Sequence, residues 1–254
     1  MKRIFLLAFG LFLAVSGYAQ KTADIGIWGG GSNYMGDLEN QTFTTFGLPT
    51  FGAYFRYNLH YRTSIRAMFL TGRIAGKGTV QGHGFMSQPD SETSYDGFSK
   101  LFQDFTVQAE INYLRYMTGN NKASFTSYLT AGIGVMHFPY EYDPVFMYMI
   151  NPRTNKGDAV QKGSVITPTI PFGMGFKFNV GSRLGIGLEY QMRKLFSDKL
   201  DNLDDPLAHF NLDNNEVTYR DMYHNNDWAG FLGLHITYKI YMGSKPCPAY
   251  DVKN

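Results

Sequence analysis

Six histidines, His60, His83, His137, His209, His224 and His235, are the side chains best able to move a proton near neutral pH. His137 is followed by Tyr140, Glu141 and Asp143, and His209 and His224 share a stretch with Asp205, Asp213, Asp221 and Asp227. Such neighbours could give a hydrolase a base and an orienting acid. The spacings fit no HExxH-type site, and SDKLDNLDDPLAHFNLDNNE at 197–216 lacks the ligand spacing of an EF-hand calcium loop. Gly29-Gly30-Gly31 follows a strand-like stretch but opens no helix, so it is not a phosphate loop; it is expected to let a strand bend or approach a neighbour. The single cysteine, Cys247, has no internal partner and is either an intermolecular thiol or a spare one in a loose tail. No catalytic, metal or cofactor site is expected.

The elements that would position these residues are β-strands. In DFTVQAEINYLRY at 104–116, Phe105, Val107, Ala109, Ile111 and Tyr113 alternate with Thr106, Gln108, Glu110 and Asn112. Period two means a strand with one apolar and one polar face. The same alternation suggests strands over about Ala23–Asn33, Thr50–Tyr57, Tyr61–Arg73, Phe125–His137, Val165–Phe178, Arg183–Phe196 and Asp227–Tyr241, eight in all. Pro168 and Pro171 in the sixth predict a bulge, local strain or a later strand start.

The connections say which face is which. Those at 58–60, around 118–122 and at 179–182 are short, whereas 34–49, 74–101, 138–164 and 197–226 are long, in strict alternation. Short turns at one end and long loops at the other mark an outer-membrane barrel. The predicted fold is therefore an all-β, eight-stranded, closed antiparallel transmembrane barrel with short periplasmic turns and long extracellular loops. Its apolar faces meet outer-membrane lipid: Leu184, Ile186, Leu188 and Tyr190 on the seventh strand, Ile65, Ala67 and Phe69 on the third, Leu232, Leu234, Ile236 and Tyr238 on the eighth. Arg62, Ser64 and Arg66, and likewise His235, Thr237 and Lys239, turn inward. Eight strands leave an interior that side chains just fill, and buried charge must be paired. Arg56, Arg66, Glu110, Glu189 and Arg193 are expected to form that lumenal polar network, and a barrel plugged by such a core is not a diffusion pore. Aromatic girdles are expected from Tyr57, Tyr61, Tyr113, Tyr116, Phe178, Tyr238 and Tyr241 at the short-turn side, and from Phe51, Phe69, Phe102, Phe138, Phe196 and Trp228 at the other.

Composition agrees. Aromatic residues are 16% and charged residues only 17% of 254, and the net charge of +2 argues against a nucleic-acid partner. Lys2 and Arg3, the apolar run Ile4 to Val15 and the Gly17-Tyr18-Ala19 step read as an export signal cut after Ala19. The expected organisation is a signal peptide at 1–19, a barrel at 20–242 and a periplasmic tail at 243–254. The tail residues Lys245, Cys247 and Tyr250 are candidate partner contacts. YDPVFMYMI at 142–150 is apolar for an external loop and serves as either a contact patch or a lid.

Two stretches carry a family resemblance: WGGGSNYMGDLE at 28–39, and IPFGMGFKFNVGSRLGIGLEYQMRKLFSDKLDNL at 170–203. With the signal peptide and the eight-strand plan, the chain resembles the PorG-like outer-membrane barrel component of the type IX secretion system. That family usually reads Asp-Tyr-Leu-Asp after the seventh strand, where this chain has Asp198-Lys199-Leu200-Asp201. The resemblance implies a non-enzymatic structural part of the secretion machinery, associated in some members with gliding. It also implies contact with periplasmic ring proteins of the PorK–PorN type. Two rivals come from other classes: an adhesion, recognition or envelope-structural barrel acting through its external loops, and an enzyme at the outer rim.

Overall fold

The computed structural model describes residues 22–36, 47–82, 91–119, 124–143, 159–203, 209–211, 216–218 and 227–241. The expected signal peptide and C-terminal tail, with Lys245, Cys247 and Tyr250, lie outside these residues, as does most of the apolar loop at 142–150. Among the described residues there are ten strands: β1 (Thr22–Met35), β2 (Leu48–His60), β3 (Thr63–Gly82), β4 (Ser91–Asn112), β5 (Phe125–Tyr142), β6 (Gln161–Val180), β7 (Leu184–Leu195), β8 (His209–Asn211), β9 (Glu216–Thr218) and β10 (Trp228–Tyr241). Eight of them close a barrel in the order β1-β10-β7-β6-β5-β4-β3-β2, every neighbour antiparallel. The β8–β9 hairpin, unforeseen in the sequence, stands apart in the last long connection.

Alternation sorts each strand into a wall row and a lumen row. On β4, Phe105, Val107, Ala109 and Ile111 are exposed, while Asp104, Thr106, Gln108, Glu110 and Asn112 are buried. Leu184, Ile186 and Leu188 on β7, and Leu232, Leu234, Ile236 and Tyr238 on β10, are likewise exposed. An apolar row turned outward on all sides costs free energy in water and none in a bilayer, so this wall is the lipid-facing belt of a membrane barrel. The outer half of the lumen holds an apolar cluster that includes Trp28, Leu70, Phe102, Phe138 and Phe231. Trp28 fits because Gly233 faces it, and a Cβ on Gly30 would run into the backbone of Leu232. That is the close approach expected of the glycine run.

Several expectations change. β3 and β4 run on as a long hairpin to Gly82 and Ser91, occupying much of what reads as an external loop. β6 begins earlier, at Gln161, and carries both prolines without a bulge: its register with β5 is the same on either side of Ile170 and Pro171. The ladder omits the pairs at Ile170 and Pro171, so the missing Pro171 donor breaks no pair there, while Pro168 stays opposite Val135, one residue before the β7 ladder begins at Thr169. β4 ends at Asn112, so Tyr116 is not a girdle residue but is buried at the inner mouth. Phe102 and Phe138 point into the lumen because they fall on the buried parity of their strands. Arg62 sits in the β2–β3 turn and is exposed. Tyr61, Tyr113, Phe178 and Tyr238 at one end, and Phe51, Phe69 and Phe196 at the other, do face outward.

Candidate functional site

The lumen holds an ion-paired column, built from inward residues of β1, β2, β3, β4, β6 and β7. Glu110 on β4 is its hub. Arg56 Nε lies 3.1 Å from Glu110 Oε2, Arg66 Nη1 lies 3.8 Å from the same oxygen, and Lys177 Nζ donates to Oε1. Arg66 also forks onto Glu189, with Nη1 and Nη2 at 3.0 and 2.6 Å from its two oxygens. Such bidentate pairs are the strong form of the contact. Further out, Arg193 Nε meets Asp104 Oδ2 at 3.0 Å; further in, Arg56 Nη1 reaches Asp24 Oδ2 at 3.5 Å. All eight charged groups are buried, four of each sign, so the column is electrically closed. Lys177 Nζ stands 3.9 Å from the centroid of the Tyr128 ring. His235 takes part through Tyr54 and Tyr128, whose hydroxyls approach its two ring nitrogens at 3.0 and 3.2 Å.

Arg56, Arg66, Glu110, Glu189 and Arg193 thus come together as expected. Lys177, Asp24 and Asp104 were missed. Each falls on the inward parity, between Phe176 and Phe178, Ala23 and Ile25, and Gln103 and Phe105, so the alternation rule extended to every strand finds them.

Each end of the column is sealed by a segment that turns inward. At the outer mouth, 197–203 leaves β7 and folds back over the lumen. Leu200 and Leu203 enter the apolar cluster. The buried Tyr34 hydroxyl lies 2.8 Å from Asp201 Oδ2 and 2.8 Å from Asp227 Oδ1. A hydroxyl carries one hydrogen, so two carboxylates this close to it are best satisfied when one of them holds a proton and donates to the tyrosine oxygen. Burial, reinforced by the Asp201 and Asp198 carboxylates, pushes Asp227 well above the usual carboxylate range. Asp227 Oδ2 accepts from Leu200 N and Asp201 Oδ1 from Leu203 N, each at 2.8 Å. Asn202, in the left-handed region at φ 71°, accepts from Lys100 Nζ at 2.6 Å and from Glu141 N at 3.0 Å. Of Asp198-Lys199-Leu200-Asp201, only Lys199 is not buried. The position where this chain departs from the expected tyrosine is thus the one that does not enter the seal.

At the inner mouth, 113–119 crosses the lumen. Tyr116 N donates to Tyr61 O at 3.0 Å, Thr118 Oγ1 to Asp24 Oδ2 at 3.2 Å, and Gly119 N to Asn179 Oδ1 at 3.0 Å. Burial raises the Tyr116 hydroxyl above its ordinary pKa. Gly119, at φ 76°, packs so closely on Ser182 O that no Cβ fits.

The histidines are scattered. His60 is exposed, His137 Nδ1 contacts Gln103 Oε1 at 2.9 Å on the outer wall, and His235 is buried. His83 and His224 lie outside the described residues. Among the described residues, no group of three His, Cys, Asp or Glu side chains is placed to hold a metal. A groove of about 530 Å³ on the wall, lined by residues such as Ile27, Phe55, Phe69 and Phe105, faces the bilayer hydrocarbon.

A family model for a domain of unknown function, DUF6089, matches residues 2–251. The chain belongs to the DUF6089 family. No curated protein matches it. Among solved structures, it is similar to Ail, the attachment invasion locus protein of Yersinia pestis, at 14% identity over 87% of this chain and 100% of that one, with a TM-score of 0.45. It is also similar to the N-terminal β-barrel domain of Pseudomonas aeruginosa OprF, at 9% identity over 88% and 100%, with a TM-score of 0.43. A third is Neisserial surface protein A, at 8% identity over 87% and 98%, with a TM-score of 0.39. This DUF6089 chain is an eight-stranded outer-membrane β-barrel, and its own lipid-facing wall and charged, filled lumen make that case.

Proposed function

We propose that this DUF6089 barrel is a non-enzymatic, structural or accessory component of a type IX protein secretion machinery, anchoring or contacting a periplasmic ring of the PorK–PorN type. The observation that carries the reading is the junction of the two stretches on which the resemblance rests. Tyr34, from 28–39, is hydrogen-bonded to Asp201, from 170–203, at the outer mouth. The two stretches therefore meet in one structural unit. The filled, ion-paired lumen supports an anchor over a conduit. An export signal at 1–19 belongs to the same proposal.

An in-frame deletion tests it. Loss of the barrel is expected to retain proteins bearing the C-terminal sorting domain in the periplasm, and the signal-bearing barrel supplied in trans is expected to restore them to the surface and culture fluid. Normal export with altered attachment or envelope integrity would replace this reading with action through the external loops.

A further inference from the structure

The two ends of the barrel carry opposite charge. The short connections at 58–63, 113–124 and 179–183 contain Arg62, Arg115, Lys122, Arg183 and His60, and no Asp or Glu. The last long connection, 197–226, contains seven carboxylates against Lys199 and Arg220. Among the described residues of the short-turn end, the one acidic side chain is Asp24, and it is buried in the lumen on Arg56.

The cationic end is also rigid. The segment 113–119 is tied to the β2–β3 turn through Tyr116 N and Tyr61 O, and to the β6–β7 turn through Asn179, whose Nδ2 donates to Met117 O at 3.1 Å. Gly119 seats against Ser182, next to Arg183. The three connections therefore make one continuous surface. On it, Leu114 is 43% exposed, immediately before the exposed Arg115.

We propose that this short-turn end is a preorganised docking face for an acidic protein surface in the periplasm. The inference deepens the secretion reading, and rests on it only for the presence of a protein partner there. Two points favour a protein over the phosphates of the inner leaflet. Leu114 to Gly119 lies past the end of β4 and crosses the lumen mouth, so it faces the periplasm rather than the lipid beside the wall. The exposed Leu114 beside Arg115 makes the apolar anchor with charged surround typical of protein contacts. Arg62, Arg115 and Arg183 supply forks that pair with the carboxylates of an acidic surface.

The test uses the full-length, signal-bearing protein in its own cells, with the photo-reactive amino acid p-benzoylphenylalanine replacing Leu114. Leu114 belongs to the inner cap but its side chain is exposed, and the heat-dependent gel mobility of a barrel reports folding. Illumination is expected to give a protein adduct whose cross-linked peptide is rich in Asp and Glu. Combined Arg62→Glu and Arg115→Glu is expected to cut its yield by on the order of tenfold; should that pair lower barrel mobility, Arg115→Glu alone carries the comparison. An adduct to phospholipid only, a peptide without acidic residues, a yield indifferent to charge reversal, or no adduct would each overturn the proposal. Export of sorting-domain proteins is scored in the same cells. An acidic adduct with normal export in the deletion strain would remove the secretion role and keep the docking face. Defective export without the adduct would do the reverse.

Discussion

The outer and inner mouths of this barrel are closed by segments of similar length with different chemistry. The outer seal, 197–203, buries two leucines and pins them with a carboxyl–carboxylate pair around the Tyr34 hydroxyl. The inner seal, 113–119, buries one tyrosine and one threonine and holds them through backbone groups and Asn179. The outer one depends on a shared proton; the inner one depends on backbone shape, above all at Gly119. Between them stands the ion-paired column, which neither seal needs for its own contacts except through Asp24 and Thr118. Closure alone therefore does not dictate chemistry: each end uses what its strands deliver there.

The largest expected effect is in the column itself. Glu110→Ala leaves Arg56 and Lys177 without their nearest counter-charge, and is expected to cost about 3–5 kcal/mol, read as a lower thermal midpoint in detergent. An unchanged midpoint would mean the column does not hold the barrel together, and the seals would have to.

Leu200→Ala comes next. It empties part of the outer apolar cluster, for an expected loss of about 2–5 kcal/mol. Hydrogen exchange should quicken at 198–203 and remain slow at 113–119; equal quickening at both ends would show that the two seals open as one.

Gly119→Ala attacks the inner seal. The new Cβ meets the Ser182 backbone at a positive φ, and a cost of about 1–3 kcal/mol is expected, with faster exchange at 113–119 only. A neutral outcome would mean that the cap shifts freely, which removes the rigidity on which the docking face is argued.

The smallest effect separates the seals by pH. Because the folded-state pKa of Asp227 is raised, the folded outer end binds its proton more tightly than the unfolded chain does. Its contribution is therefore complete below the ordinary aspartate range, near about 4, and declines as pH rises from there towards the raised value. Exchange at 198–203 should quicken over that window. Asp227→Asn, which keeps an acceptor for Leu200 N and a donor for Tyr34, should flatten the dependence. The inner seal should show none in that range. If Asn leaves the profile unchanged, the shared proton sits elsewhere.

How much was legible follows from the same contrast. Arg56, Arg66, Glu110, Glu189 and Arg193 were readable because a strand has two faces, and parity assigns a residue to one of them without knowledge of its neighbours. Phe102 and Phe138 were misplaced for a related reason: an aromatic near a strand end suggests a girdle, but parity puts both in the lumen. Tyr116 likewise reads as a girdle residue, since its burial depends on where β4 stops.

The amino-acid sequence by itself determined the number of barrel strands, the alternation of short and long connections, the lipid-facing rows and the inward charges, because all of these are set by local period and turn length. Which charges pair was decided only in three dimensions. Glu110 meets Arg56 and Lys177 across strands 54 and 67 residues away in the chain. The two seals were likewise a tertiary outcome. Tyr34 is joined to Asp201 and Asp227 over 167 and 193 residues. No local pattern encodes such a contact; it exists only once barrel closure brings β1 beside β10 and folds the exit of β7 over the mouth between them.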